Sequence, residues 1–198
     1  MKLIFISGPS GSGKTTLSNQ IIEKIKNGII LRTDNYYKTG LKSKILSKII
    51  KGYFDRAISF NNKLFEKDFN FIVKNGFSIH ERYYNFEKKK IKSISNETYN
   101  LNFLIVEGIF AREFSSNLLN QNYFFLELRI TKNECMKRVV QRDIKERGKN
   151  KKQAENGFLK SWDIYYQKFK NKRKKFNTNE FIVTKETELD KIIKKIFN

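Results

Sequence analysis

A single cysteine, Cys135, stands in this chain of 198 residues, so no intramolecular disulfide and no cysteine-built zinc cluster can form. Histidine also occurs once, at His80, which excludes a histidine-rich metal site. Proline occurs once, at Pro9, and no Pro/Gly/Ser-rich linker divides the chain, so one domain is expected over residues 1–198. No apolar run approaches the roughly 20 residues that a membrane helix needs. The opening MKLIFISGPS is too short in apolar residues for a secretory signal, which wants about 7–15. These absences predict a soluble, cytoplasmic protein with no membrane partner.

Acidic residues are scarce as well. Lys+Arg number 41 against Asp+Glu 20, a formal net charge of +21. Such an excess suits a binder of nucleic acid or of a membrane surface. Lys, Asn, Ile and Phe are abundant throughout, however, as a biased base composition produces, and no RNP1-type aromatic motif accompanies the charge. We read most lysines as solvated surface, the KRKK cluster at 172–175 included. With 39% hydrophobic and 14% aromatic residues the chain can build a core, which excludes a disordered basic tail.

The apolar patterning then orders the elements. Lys2–Ser7 reads as a buried strand, followed by a Gly-rich turn from Gly8 to Gly13. Leu17, Ile21, Ile22 and Ile25 recur at helical spacing, and Gly28 is expected to stop that helix. Ile29–Leu31 is a short strand ending at Arg32-Thr33-Asp34. Residues 41–75 read as helix interrupted near Gly52 and ended by Gly76. Residues 77–94 suggest a hairpin or flap. Strands are expected at Leu101–Val106, Tyr123–Ile130 and Phe181–Val183. Helices are expected at Lys132–Arg147, Phe158–Phe176 and Leu189–Phe197, with Lys149–Lys152 a basic link. Alternating strands and helices predict an α/β fold, the three-layer P-loop NTPase architecture with a mostly parallel sheet, plus a small β-flap and a helical lid near 142–157.

Residues 8–15, GPSGSGKT, fit GxxxxGK[ST] at every position, directly after a strand and before a helix. Gly8, Gly11 and Gly13 let the backbone approach a phosphate without Cβ clashes. Successive N–H groups then form an anion nest at the positive end of the following helix. Lys14 supplies a point charge for the β- and γ-phosphates, and Thr15 offers a hydroxyl to Mg²⁺. A P-loop implies binding of a nucleoside triphosphate and leaves its use open. No NKxD guanine-reading motif occurs, which argues against a GTPase.

Three further positions carry chemistry. Asp34 ends the second strand, where ligands of open parallel sheets bind, and can take a proton from an attacking hydroxyl or help hold Mg²⁺. Taken alone it reads first as a turn or helix-capping aspartate. Glu107 closes an apolar strand, a place suited to a Mg²⁺-bound water. In QRDIKERGK, Arg142 and Arg147 lie five apart at a helix end with Lys149 beyond Gly148, able either to clamp phosphates or to complement the helix dipole.

Taken in order, these segments resemble the uridine/cytidine kinase family, within the phosphoribulokinase–uridine kinase group of P-loop kinases. GPSGSGKTT resembles the family's P-loop, so Gly8, Pro9, Ser10, Gly11, Ser12, Gly13, Lys14, Thr15 and Thr16 are the implied ATP-binding segment. TDNYYK resembles its D-x-F-Y, which puts the catalytic base at Asp34, with Lys14 as its catalytic partner on the phosphates. YFDRAISFN resembles N-F-D-H-P-x-A-F-D and puts a nucleoside-contacting carboxylate at Asp55. RYYNF resembles P-x-Y-D-F and puts a base-stacking ring at Tyr84. LIVEGIF resembles V-x-x-E-G-I-L, with a Mg²⁺-linked Glu at Glu107. RDIKERGK resembles R-D-x-x-E-R-G-R, with lid arginines at Arg142 and Arg147. Several positions depart from the family pattern. Arg56-Ala57 replaces His-Pro, Arg82 replaces the Pro before the Tyr, Lys89 replaces a His, and Lys149 replaces an Arg. Arg138 and Val139 stand at a family arginine pair, and Gly157 stands at a nucleoside-contacting Gln.

The resemblance implies transfer of the γ-phosphoryl of ATP to the 5′-hydroxyl of uridine or cytidine. Asp34, Asp55, Tyr84, Lys89 and Lys149 then face the substrate, and Thr15, Asp34 and Glu107 serve Mg²⁺. It also implies a homotetramer. The alternatives are a kinase of another small alcohol, such as nicotinamide riboside or pantothenate, a nucleotide-dependent RNA-binding protein, and a catalytically silent relative.

Overall fold

A computed structural model describes residues 1–86, 88–115, 123–170, 179–184 and 189–197. Five parallel strands form its central sheet in the order β2-β5-β1-β6-β7. They are β1 (Lys2–Ser7), β2 (Gly28–Arg32), β5 (Phe103–Glu107), β6 (Tyr123–Leu128) and β7 (Asn179–Val183). A separate antiparallel hairpin joins β3 (Ser78–Asn85) to β4 (Lys90–Thr98). The helices are α1 (Lys14–Lys24), α2 (Gly40–Ile49), α3 (Asn62–Asn75), α4 (Ala111–Ser115), α5 (Lys132–Arg147), α6 (Lys151–Lys170) and α7 (Leu189–Phe197).

The period-2 alternation of β1 sorts the core into two layers. Leu3 and Phe5 face an aromatic-rich side with Phe65, Phe69, Phe110 and Phe114, whereas Ile4 and Ile6 face an aliphatic side with Leu17, Ile21, Ile193 and Ile196. Phe65 meets Phe114 edge-on at 4.2 Å, and Phe60 stacks on Phe110 at 5.0 Å. Such pairs add about 0.5–1.5 kcal/mol each beyond their area burial.

Strand register brings the chemistry to one edge. Ile6 and Arg32 both pair with Glu107, and Ser7 pairs with Glu127, so the loops after β1, β2 and β5 share the carboxyl end of the sheet. That is the ligand-binding edge of open parallel sheets.

Several boundaries differ from the sequence expectation. Helix α1 ends at Lys24, and Asn27, not Gly28, takes the left-handed turn with φ 65°, because Asn tolerates that region; Gly28 opens β2. Between α2 and α3 the chain makes two 3-10 turns, Tyr53–Asp55 and Ala57–Ser59. The hairpin runs four residues past Ile94. The basic link is shorter than Lys149–Lys152, since α6 starts at Lys151. Asn150 Oδ1 accepts from the Gln153 amide at 2.9 Å while Gln153 Oε1 accepts from the Asn150 amide at 3.2 Å, a reciprocal cap that starts the helix seven residues before Phe158. Residues 171–176 of the expected helix and the 172–175 cluster lie outside the described residues. Helix α4 was not anticipated. Its Arg112 lies 4.1 Å over the Phe125 ring and bonds Glu127 and Glu180. Among the described residues no helix is long and apolar enough to cross a membrane.

Candidate active site

The P-loop curls between β1 and α1 as its glycines permit. Gly11 and Gly13 hold φ of +80° and +91°, conformations that side-chain-bearing residues rarely adopt. A Cβ at Gly11 would sit 2.5 Å from the Cys135 carbonyl oxygen, and one at Gly8 would sit 2.7 Å from Ser12 Oγ. Lys14 is buried, and its Nζ donates to the Pro9 carbonyl at 3.0 Å, which folds the cation into its own loop. Ser12 Oγ is buried without a hydrogen-bond partner among the described residues. A cradle with an orphaned hydroxyl and an enclosed cation fits a phosphate chain.

Thr15, on the first turn of α1, faces Glu107 at the end of β5, with Oγ1 3.3 and 3.4 Å from the two carboxylate oxygens. Glu107 is 6% exposed. Burial raises its carboxyl above the usual range and nearby Asp34 adds to this, against the pull of Lys14, Arg32 and Thr15. Asp34 lies in the 3-10 turn Thr33–Asn35 that follows β2, and its Oδ1 accepts from Tyr37 Oη at 3.3 Å. No cluster of three or more His, Cys, Asp or Glu exists among the described residues to cage a metal alone. A hydroxyl beside one carboxylate, with a second close enough to act on it electrostatically, suits Mg²⁺, which takes one or two protein oxygens and completes its octahedron with waters and substrate phosphates.

On the far side of Asp34 opens a cavity of about 290 Å³. Asp34, Asp55 and Asp143 supply its carboxylates, Tyr37, Phe54, Phe86 and Phe158 its rings, and Arg142, Arg147, Lys149 and Lys160 its basic rim. Asp55 ends the 3-10 turn Tyr53–Asp55 and accepts from Ser161 Oγ on α6. Burial raises the Asp55 carboxyl, against the Ser161 hydrogen bond. At the corner between α5 and α6, Asp143 gathers three cations. Arg142 Nη2 lies at 2.8 Å, Lys149 Nζ at 2.7 Å and Arg147 Nη1 at 3.4 Å. Burial of Asp143 opposes its ionisation, but Lys149, Arg142 and Arg147 together hold its carboxyl below the usual range.

A second cavity, about 240 Å³, lies on the opposite flank of the P-loop, with Ser12, Gly13, Thr16 and Gln20 on one wall and Glu134 and Arg138 on the other. Leu17, Leu128, Ile130 and Val183 make its apolar floor. Sequence reading missed this cavity, because its walls come from three separate strand-to-helix corners.

Two residues proposed from the sequence stand off the 290 Å³ cavity. Tyr84 is buried beneath it, edge-on to Tyr37 and Phe54, and Phe86 is the ring that reaches the wall. The alternation of the hairpin strand sets this, since residues two apart share a face and Phe86 lies beyond the strand end. Lys89, at φ 50° in the turn before β4, bonds Ser47 of α2 and is not on the cavity wall. The remaining proposed residues converge on the two cavities and the cradle between them.

Known proteins are similar to this chain. A uridine kinase of Borrelia hermsii (strain HS1 / DAH) is 31% identical over 172 residues, which span 85% of this chain and 80% of that protein. A uridine kinase of Staphylococcus aureus (strain JH9) is 27% identical over 160 residues, 79% of this chain and 75% of that protein. Among solved structures, a D-glycerate 3-kinase from Cryptococcus neoformans var. grubii superposes with a TM-score of 0.64 at 14% identity, over 92% of this chain and 86% of that one. A deoxyadenosine kinase from M. mycoides superposes at 0.50 with 18% identity and full coverage of both chains, 100% and 100%. Both structures share the α/β fold. A family match over residues 3–179 takes in every element from β1 to the start of β7, and the chain belongs to the Phosphoribulokinase / Uridine kinase family.

Proposed function

We propose that this P-loop phosphotransferase moves the γ-phosphoryl of ATP to the 5′-hydroxyl of uridine or cytidine in the cytoplasm. The observation that carries the reading is the position of Asp34, on the wall of an aromatic and carboxylate-lined cavity and electrostatically coupled to Glu107, which faces the P-loop threonine. The uridine kinases among the relatives support the choice of acceptor.

The P-loop amides, Lys14 and the Thr15 turn hold the triphosphate, with its adenosine in the cavity floored by Leu17, Leu128 and Val183. The nucleoside enters the other cavity, where Asp55 accepts from its ribose hydroxyls and Phe86 and Phe54 flank its base. Asp34 accepts the proton of the 5′-hydroxyl as that oxygen bonds to the γ-phosphorus. The bond from the γ-phosphorus to the β,γ-bridging oxygen breaks, and ADP carries away its electron pair. Arg142 and Arg147 come off Asp143 to meet the charge on the transferred group. Closure of the 142–157 lid shuts out the water that would otherwise hydrolyse ATP. Mg²⁺, held by Thr15 and through water by Glu107 and Asp34, would draw charge off the β- and γ-oxygens when bound. The tetramer that the family resemblance implies goes with this reading, and sedimentation velocity tests it.

A coupled ADP-release assay over uridine, cytidine, purine nucleosides, nicotinamide riboside and pantothenate tests the acceptor. Turnover highest with uridine or cytidine supports the reading. Turnover confined to pantothenate or nicotinamide riboside overturns it.

A further inference from the structure

One buried carboxylate has no part in the reaction described above. Asp68 lies on α3 with 5% of its surface exposed. Its Oδ2 accepts from Tyr36 Oη at 3.0 Å and from Arg82 Nε at 2.5 Å, its Oδ1 accepts from Arg82 Nη2 at 3.0 Å, and His80 Nε2 lies 3.4 Å from Oδ1. Burial opposes its ionisation, yet Arg82, Tyr36 and His80 hold the carboxyl below the usual range. The partners belong to two functional segments. Tyr36 is two residues past Asp34, and Arg82 sits on β3, four residues before Phe86 of the acceptor wall. Neighbouring Tyr37 turns the other way, toward Asp34 and the Phe86 ring, with its Oη on Asp34 and its centroid 5.6 Å from that ring. Asn35 adds a cross-link, its Oδ1 accepting from the Tyr84 amide at 3.2 Å. Arg82 is also one of the positions where the chain leaves the family pattern, which has proline there.

We propose that Asp68 and its fork to Arg82 are positioning residues that lock the β3–β4 hairpin to the Asp34 segment, so that the acceptor wall and the base move as one frame. Only an arginine satisfies both carboxylate oxygens at once, because its guanidinium is a rigid planar fork. With the fork cut, the Asn35–Tyr84 hydrogen bond, the His80–Asp68 pair and the Tyr37 ring contacts with Tyr84 and Phe86 remain, but the wall loses its one bidentate ionic tie and is held less firmly relative to Asp34. Acceptor binding suffers, while the P-loop, which shares none of these contacts, does not.

The role assigned to the frame rests on the nucleoside-kinase reading; the mechanical coupling does not, and the experiment separates the two. Amide hydrogen exchange and steady-state kinetics are measured on wild type, Arg82→Gln and Arg82→Lys. In Arg82→Gln, exchange rises both in residues 78–85 and in residues 33–37, with 8–16 unchanged. KM for the nucleoside rises about tenfold with KM for ATP unchanged, since small misplacements of a bound reactant are costly. Arg82→Lys recovers part of both effects, because a point charge holds one carboxylate oxygen. Faster exchange confined to 78–85, or equal rises in both KM values, overturns the proposal. Asp68→Asn, which keeps the side-chain shape, must repeat the Arg82→Gln pattern; a wild-type pattern there overturns it too. If wild type phosphorylates no nucleoside, the function reading fails alone and the exchange result still decides the coupling.

Discussion

The hydroxyl of Ser161 donates a hydrogen bond of 2.5 Å to Oδ1 of Asp55, joining residues 106 positions apart in the chain. It ties α6 to the 3-10 turn that carries the acceptor-side carboxylate. Four residues earlier on the same helix, Gly157 stands where the family places a nucleoside-contacting glutamine. Ser161 is therefore the polar side chain that α6 offers to this carboxylate. Replacing it by alanine removes a bond to an ionised group, a loss of about 1.5–3 kcal/mol. We expect KM for the nucleoside to rise about ten- to a hundredfold in Ser161→Ala by the same measure, with KM for ATP unchanged. Initial-rate kinetics with each substrate varied in turn checks this.

Asp55 itself is held at a cost in stability. Because burial raises its carboxyl, the folded state keeps the proton to higher pH than the unfolded chain does. The stabilisation linked to this proton is full below about pH 4 and is lost as pH rises through the raised value. Once ionised above that raised value, the buried carboxylate opposes folding. Asp55→Asn is expected to raise Tm at pH 7 and to leave Tm near the wild-type value at about pH 4, while nucleoside KM rises. Thermal melts at the two pH values check the sign, and a lower Tm at pH 7 would contradict it.

Asp143 bonds Arg142 and Arg147, which the proposed mechanism brings to the transferred phosphoryl, and Lys149. In Asp143→Asn they lose their common anchor. An arginine acting on phosphoryl transfer contributes about 10³–10⁵ in rate, so disorganising the cluster without deleting it should lower kcat by a part of that, about 10–100-fold. The three cations are half-exposed, so urea denaturation should find a change of about 1 kcal/mol or less.

Much of the fold was legible because its signals are local. Leu3–Ile6 and Leu104–Val106 announce buried strands by uninterrupted apolar runs, and left-handed Gly76 ends α3 where the pattern placed its stop, whereas the Asn61 cap that starts it lies well past the break expected near Gly52. The start of α6 was missed because the basic run Lys149–Lys152 masks the Asn150 and Gln153 cap and no apolar residue follows at helical spacing until Ala154, and α4 was missed because five residues are too few to show a period. In the site, the places of the P-loop, Asp34 and Glu107 were readable since each lies at or just past the carboxyl end of a strand. Phe86, Ser161 and the Asp68 cluster were not, because their roles depend on pairings between elements 14 to 106 residues apart. Tyr84 illustrates the limit. The motif located the aromatic patch, and packing decided that Phe86 and not Tyr84 faces the cavity.

The central claim is that Asp34 takes the proton of the acceptor hydroxyl. Its most direct test is single-turnover transfer from γ-labelled ATP to uridine by wild type and Asp34→Asn, with ATP affinity measured alongside. The account predicts that Asp34→Asn slows transfer by about 10²–10⁴, the range of general-base catalysis, and leaves ATP affinity unchanged. Transfer at the wild-type rate by Asp34→Asn would contradict it.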